Sequence, residues 1–188
     1  YINEDLIIYE PVIVLPGTKF ILNEGVSLIF KNKSIIEGTT NNQVEFIGLN
    51  KNTKWGTVSI EGKNSSLKYI ILSGGFGDLV ENKFYTSMLS IRNTTNIKLD
   101  NLMFIQNFQE SYPDFYDDLL HVIYSDKIYI KNSKFFNALG DAIDVDISDI
   151  NIENCFFQDT INDSIDFMSS TGNINNTTII NSGDKGIS

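Results

Sequence analysis

The feature that most constrains this chain is a repeat. Asn132-Ser-Lys-Phe135-Phe-Asn137, Asn154-Cys-Phe-Phe157-Gln-Asp159 and Asn176-Thr-Thr-Ile179-Ile-Asn181 align without gaps and begin at equal intervals. A fourth copy, Asn101-Leu-Met-Phe104-Ile-Gln106, precedes the first of these by a longer step. Each copy follows a short apolar alternation: Ile97-Lys-Leu99, Ile128-Tyr-Ile130, Ile150-Asn-Ile152 and, more weakly, Ile174. Such short strands cannot bury a face alone, and a fixed period lets successive copies stack. No Asn-Gly or Asp-Gly occurs to turn one strand back on the next, so hairpins are not expected. The expected fold is all-β: a right-handed parallel β-helix, a solenoid with coils of about 22 residues.

A second column supports the same winding. It reads Val58-Ser59-Ile60, Leu89-Ser90-Ile91, Leu120-His121-Val122, Ile143-Asp144-Val145, Ile165-Asp166-Phe167 and Ile187-Ser188. Alternation sends the flanking apolar residues inward and the middle residue outward. Stacked coils sit about 4.8 Å apart, so a column in sequence becomes a ladder in space. The N-terminal third is less regular but offers Leu6–Ile8, Val12–Val14, Lys19–Leu22, Val26–Phe30, Ile35-Ile36 and Val44–Phe46 as strands. Residues 1–188 are expected to form one β-helix domain. The pattern is still running at Gly183-Asp-Lys-Gly-Ile-Ser188, so the chain is expected to be a piece of a longer solenoid.

Composition excludes several functions. The formal net charge is −10, and no Lys/Arg run offers the basic face that nucleic acid requires. Cations and neutral or cationic polymers suit this charge better. No apolar stretch reaches the length of a membrane span. Cys155 is the only cysteine, which rules out an internal disulfide and suits a small buried residue. Trp55 is expected to pack at a coil corner, and the repeated Asn residues to form a turn ladder, because Asn tolerates left-handed backbone.

Leu15-Pro-Gly-Thr18, Asn23-Glu-Gly-Val26, Gly38-Thr39 and Trp55-Gly-Thr57, followed by these coils, resemble bacterial right-handed β-helix proteins of the pectate-lyase-like superfamily. The resemblance covers nearly the whole chain. It implies a secreted protein in the extracellular space, at the cell surface or in the periplasm, and a polysaccharide or cell-surface glycan as partner. The scaffold itself carries many chemistries, so activity has to be argued from the site.

Two interruptions of the period draw attention to one edge. The steps from Ser59 to Ser90 and from Ser90 to His121 are equal, and both exceed those from His121 to Asp144 and from Asp144 to Asp166. The surplus falls in 77–84 and 109–117. These segments carry or adjoin Tyr85, Tyr112, Phe115 and Tyr116, which are expected to stack on sugar rings. The alternative is that these aromatics fold back over the coils.

The outward column is acidic beyond His121. Asp144 and Asp166 are equivalent, as are Asp118, Asp141 and Asp163 at the preceding corner. Two carboxylates about 5 Å apart repel by about 1 kcal/mol in bulk water and about 3 at an effective dielectric of roughly 20. Solvation, a shared proton or a bound cation would relieve this, and Ca2+ on Asp144 and Asp166 is the expected metal. By resemblance to polygalacturonase-type glycosidases, Gly140-Asp-Ala-Ile-Asp144 and Asn162-Asp-Ser-Ile-Asp166 imply Asp141 and Asp163 as an acid–base pair; Asp144, Asp166 and His121 in the adjoining column are the further catalytic candidates of an enzyme. That family's Gly-His-Gly is replaced here by Gly183-Asp-Lys185. A lyase would also need a positive group, and Arg92 is the only arginine. Three functions follow: a carbohydrate-binding module, a lyase or hydrolase, and a stalk without ligand.

Overall fold

In a computed structural model of the chain, the structure describes residues 1–108 and 118–188. It is an all-β parallel solenoid, and no helix occurs among these residues. Each coil contributes one strand to each of three faces. The first face holds Leu6–Ile8, Leu28–Phe30, Val58–Ile60, Ser87–Arg92, Asp118–Ile123, Ile143–Asp146 and Ile165–Met168, paired in parallel in that order. The second runs through Val12–Val14, Ser34–Glu37, the first halves of Ser66–Ser73 and Thr95–Ile105, then Asp126–Lys131, Asp149–Glu153 and Thr171–Asn175. The third runs through Lys19–Leu22, Val44–Gly48, the second halves of the same two long strands, Lys134–Phe136, Phe156–Thr160 and Thr178–Ser182.

Register turns the sequence columns into ladders. On the third face Phe20, Phe46, Leu72, Phe104, Phe135, Phe157 and Ile179 are successive partners. The rings of Phe104, Phe135 and Phe157 stack face to face, with centroids 4.7 and 4.6 Å apart. Each such side chain, fully buried, contributes roughly 1.5–3 kcal/mol. Val14, Ile36, Leu67, Leu99, Ile130, Ile152 and Ile174 make the matching ladder of the second face.

The corners are held by residues with positive φ. Asn101, Asn132, Asn154 and Asn176 adopt φ of 49–58°, the left-handed region that Asn tolerates. Asn132 Nδ2 donates to Asp100 Oδ1 at 2.8 Å. At the corner between the first and second faces a serine ladder follows: Ser125, Ser148 and Ser170 each accept, on Oγ, the backbone N–H of the preceding coil's Thr94, Ser125 or Ser148. Trp55 is fully buried and its Nε1 donates to Ser73 O at 2.7 Å. Cys155 is buried, and burial raises its thiol pKa.

One element departs from the sequence expectation. Asp78–Val80 and Lys83–Tyr85 pair antiparallel as a hairpin, closed by Glu81 and Asn82 with φ of 48° and 61°. Two consecutive left-handed residues match the twist of a two-residue turn, normally the work of Asn-Gly. Here Asn82 supplies one without strain, and packing beneath the hairpin holds Glu81 in the other. No helix among the described residues is long and apolar enough to cross a membrane.

Candidate functional site

The outward column of the first face is a continuous register: Ile7, Ile29, Ser59, Ser90, His121, Asp144, Asp166. Its character changes along the axis. At the N-terminal end the hairpin lies over it, with Val80 and Tyr85 packed on Ile29 and Ile7. Ser59 and Ser90 face away from the main core yet are fully buried. Tyr85 therefore does not offer a stacking surface for sugar. It is 1% exposed, and its hydroxyl donates to Glu61 Oε1 at 2.8 Å, beside the Lys31–Glu61 ion pair at 2.7 Å. Burial and the Glu61 carboxylate push the phenol pKa far up. Gly77, with φ of 92°, begins the hairpin where a Cβ would stand 2.3 Å from Tyr85 O, so no other residue fits. Tyr112, Phe115 and Tyr116 lie outside the described residues.

Beyond the hairpin the column opens into polar groups. His121 is 4% exposed; its Nδ1 lies 2.9 Å from Thr86 Oγ1. Its Nε2 lies 3.2 Å from Asp146 Oδ2 and 3.6 Å from Asp144 Oδ2. Burial lowers the imidazole pKa and Arg92 adds to this, against the pull of Asp146. Asp144 is pushed up to about 7 by burial and by the carboxylates of Asp146, Asp141 and Asp166. Asp141 rises to about 6, mainly through burial, with Asp166 and Asp163 adding.

The corner aspartates hold the backbone. Asp118 Oδ1 accepts the N–H of Asp141 at 3.0 Å, Asp141 Oδ1 that of Asp163 at 2.8 Å, and Asp163 Oδ1 that of Lys185 at 2.7 Å. Asp141 also takes a bond from Asn162 Nδ2 at 2.8 Å. Each carboxylate thus satisfies a donor one coil further along, which gives Asp141 and Asp163 a structural duty whatever else they do.

Asp144 and Asp166 are register partners on one face, as their spacing in sequence implies. The tightest convergence involves a different residue. One donor atom each from His121, Asp144 and Asp146 lies within 4.8 Å of the others. Asp146 is not singled out by the sequence reading, although Asp144-Val145-Asp146 puts it on the same side of the strand as Asp144. Arg92 is drawn to the hairpin, with Nη2 donating to Phe84 O at 2.7 Å and its guanidinium 5.1 Å from the Tyr85 ring centre.

No family model matches this chain, and no curated protein matches it. A solved structure does. The chain has the fold of an alginate lyase. It is similar to the alginate lyase from Paenibacillus sp. str. FPU-7 with a TM-score of 0.52 and 17% identity, over 91% of this chain and 62% of that one. At that identity the likeness is one of fold, and the chain spans less than two thirds of the enzyme's length.

On this β-helix the partly exposed end of the column therefore holds Asp144, whose pKa of about 7 leaves it shared between its protonated and ionised forms near neutral pH, among further carboxyl groups. Such a set can both donate to and accept from hydroxyl groups. His121, Asp144 and Asp146 also form a nitrogen-and-oxygen donor set suited to a metal ion.

Proposed function

We propose that this β-helix engages polysaccharide along the partly exposed part of the first face at Asp144 and Asp166, with His121 buried at its edge. The observation that carries the reading is the one-coil spacing of this polar column just beyond the hairpin. Coils recur about every 4.8 Å, close to the length of one sugar ring, so a chain lying along the axis meets one rung per residue. Carboxyls in both protonation states pair with sugar hydroxyls. The fold likeness to an enzyme named for alginate agrees with a glycan partner and with a secreted, surface or periplasmic setting. The acidic column and the net charge of −10 favour a neutral or cationic glycan over a polyanion.

A hydrolase is the second reading, favoured by Asp144. A carboxyl whose pKa is about 7, among acidic neighbours, suits a general acid. A panel of neutral, cationic and acidic polysaccharides, followed for binding by affinity electrophoresis and for cleavage by reducing ends, tests both. Retardation by a neutral or cationic polymer, lost in Asp144→Asn with Asp166→Asn, is the expected result. Cleavage abolished by Asp144→Asn would favour the hydrolase. Absence of both binding and cleavage across the panel would leave a stalk.

A further inference from the structure

We infer that His121, Asp144 and Asp146 form a binding site for a divalent transition metal of the Zn2+ class. The inference does not depend on the glycan reading.

The donor geometry comes first. Zn2+ held tetrahedrally by nitrogen and carboxylate oxygen at about 2.0–2.2 Å needs donors roughly 3.3–3.6 Å apart. His121 Nε2 lies 3.2 Å from Asp146 Oδ2 and 3.6 Å from Asp144 Oδ2, and the remaining edge is within 4.8 Å. Three donors thus outline one face of a tetrahedron, with the side-chain torsion of one aspartate left to close it.

The donor chemistry selects the metal. An imidazole nitrogen with two carboxylates suits Zn2+ and its neighbours, whereas Ca2+ takes six to eight oxygens at about 2.3–2.6 Å. The Ca2+ site expected from the sequence rests on Asp144 and Asp166 alone and takes no account of the convergence of His121 with Asp146.

Two further observations point to a missing ligand. Asp146 Oδ1 is buried with no hydrogen-bond partner among the described residues, an expensive state for a carboxylate oxygen. Among the described residues Ser90, directly beneath His121 in the column and fully buried, also has an unpartnered Oγ, as does Ser59 one coil further from the site. His121 is also held as metal-bound histidines are. Its second nitrogen meets the Thr86 hydroxyl at 2.9 Å, which fixes the ring plane and can accept an Nδ1 proton. Asp141 and Asp166, whose charges act on Asp144, add a negative field that attracts a cation.

The test is Co2+ and Zn2+ titration of the EDTA-treated full chain. Expected are a single equivalent of Co2+ with visible d–d absorption, displaced by Zn2+. Ca2+ in large excess should leave that absorption unmoved. His121→Ser should abolish the bands; serine already occupies this rung at Ser59 and Ser90, so the coil tolerates it. If His121→Ser loses its β-sheet circular dichroism, the near-isosteric Asp146→Asn and Asp144→Asn decide, each weakening Zn2+ by roughly 100-fold or more. The metal should also move the His121 ring proton, by 15N NMR, from Nε2 to Nδ1. Absence of stoichiometric binding, binding undiminished in folded variants, or displacement of Co2+ by Ca2+ would overturn the assignment.

Discussion

His121 Nε2 lies 3.2 Å from Asp146 Oδ2, although the register partner of His121 is Asp144 and that of Asp146 is Ile123. The contact is diagonal, between neighbouring coils and adjacent columns of one face. A strictly rung-on-rung view of a solenoid misses it. While Nε2 makes this contact, the other ring nitrogen, Nδ1, meets the Thr86 hydroxyl at 2.9 Å.

The part that Thr86 plays in orienting the ring is testable. Thr86→Val removes the hydroxyl beside Nδ1 and keeps the shape. Zn2+ affinity, measured by calorimetry, is expected to fall about 10- to 100-fold while the melting temperature of the metal-free chain changes little. Unchanged affinity would mean that Thr86 does not orient the ring.

Stability should depend on pH in an unusual direction. Asp141 and Asp144 have folded-state pKa values of about 6 and about 7, above the ordinary carboxyl value of 3.8. The folded chain then holds more protons than the unfolded one between about pH 4 and 7, so stability falls as pH rises through that window. His121, with its pKa lowered, works the other way below 6.5, but one imidazole opposes two carboxyls. The metal-free chain should melt higher at pH 5 than at pH 7.5. Asp144→Asn, neutral throughout, should lose much of that difference. A melting temperature that climbs from pH 5 to 7.5 would contradict the reading.

The phenylalanine stack sets a core prediction. Phe135 sits between Phe104 and Phe157, fully buried. Phe135→Ala should cost about 3–5 kcal/mol by denaturant unfolding, a drop on the order of 10 °C in Tm. Phe135→Leu should cost clearly less, because Leu72 already fills the same ladder two rungs below. Equal costs for the two variants would show that ring stacking outweighs volume.

One corner residue is expected to improve on substitution. Ile147 is exposed and β-branched, yet it adopts φ of 46° in the turn where Asn93 serves an earlier coil. An L-residue pays about 1–2 kcal/mol in that region, and Asn much less. Ile147→Asn should therefore stabilise the chain by about 1 kcal/mol, read as a higher denaturation midpoint. A lower midpoint would mean that the isoleucine packs usefully on its neighbours.

The amino-acid sequence by itself determined the winding. Evenly spaced repeats, apolar alternation and Asn at the corners specify coils, because each is a local demand of strand and turn geometry. The stacking of Phe104 on Phe135 and Phe157, the left-handed Asn132, and the placing of Asp144 on Asp166 all follow from counting. Tertiary structure decided what that count does not register. The turn at Glu81-Asn82 lacks the usual glycine, and only Tyr85 and Val80 settling on Ile29 make it a hairpin. That same covering turns Tyr85 from a surface aromatic into a buried one. Asp146 joins His121 through a diagonal contact between neighbouring coils, with Thr86 at the other ring nitrogen. Periodicity places backbones over one another; which polar atoms then meet depends on what lies across the face.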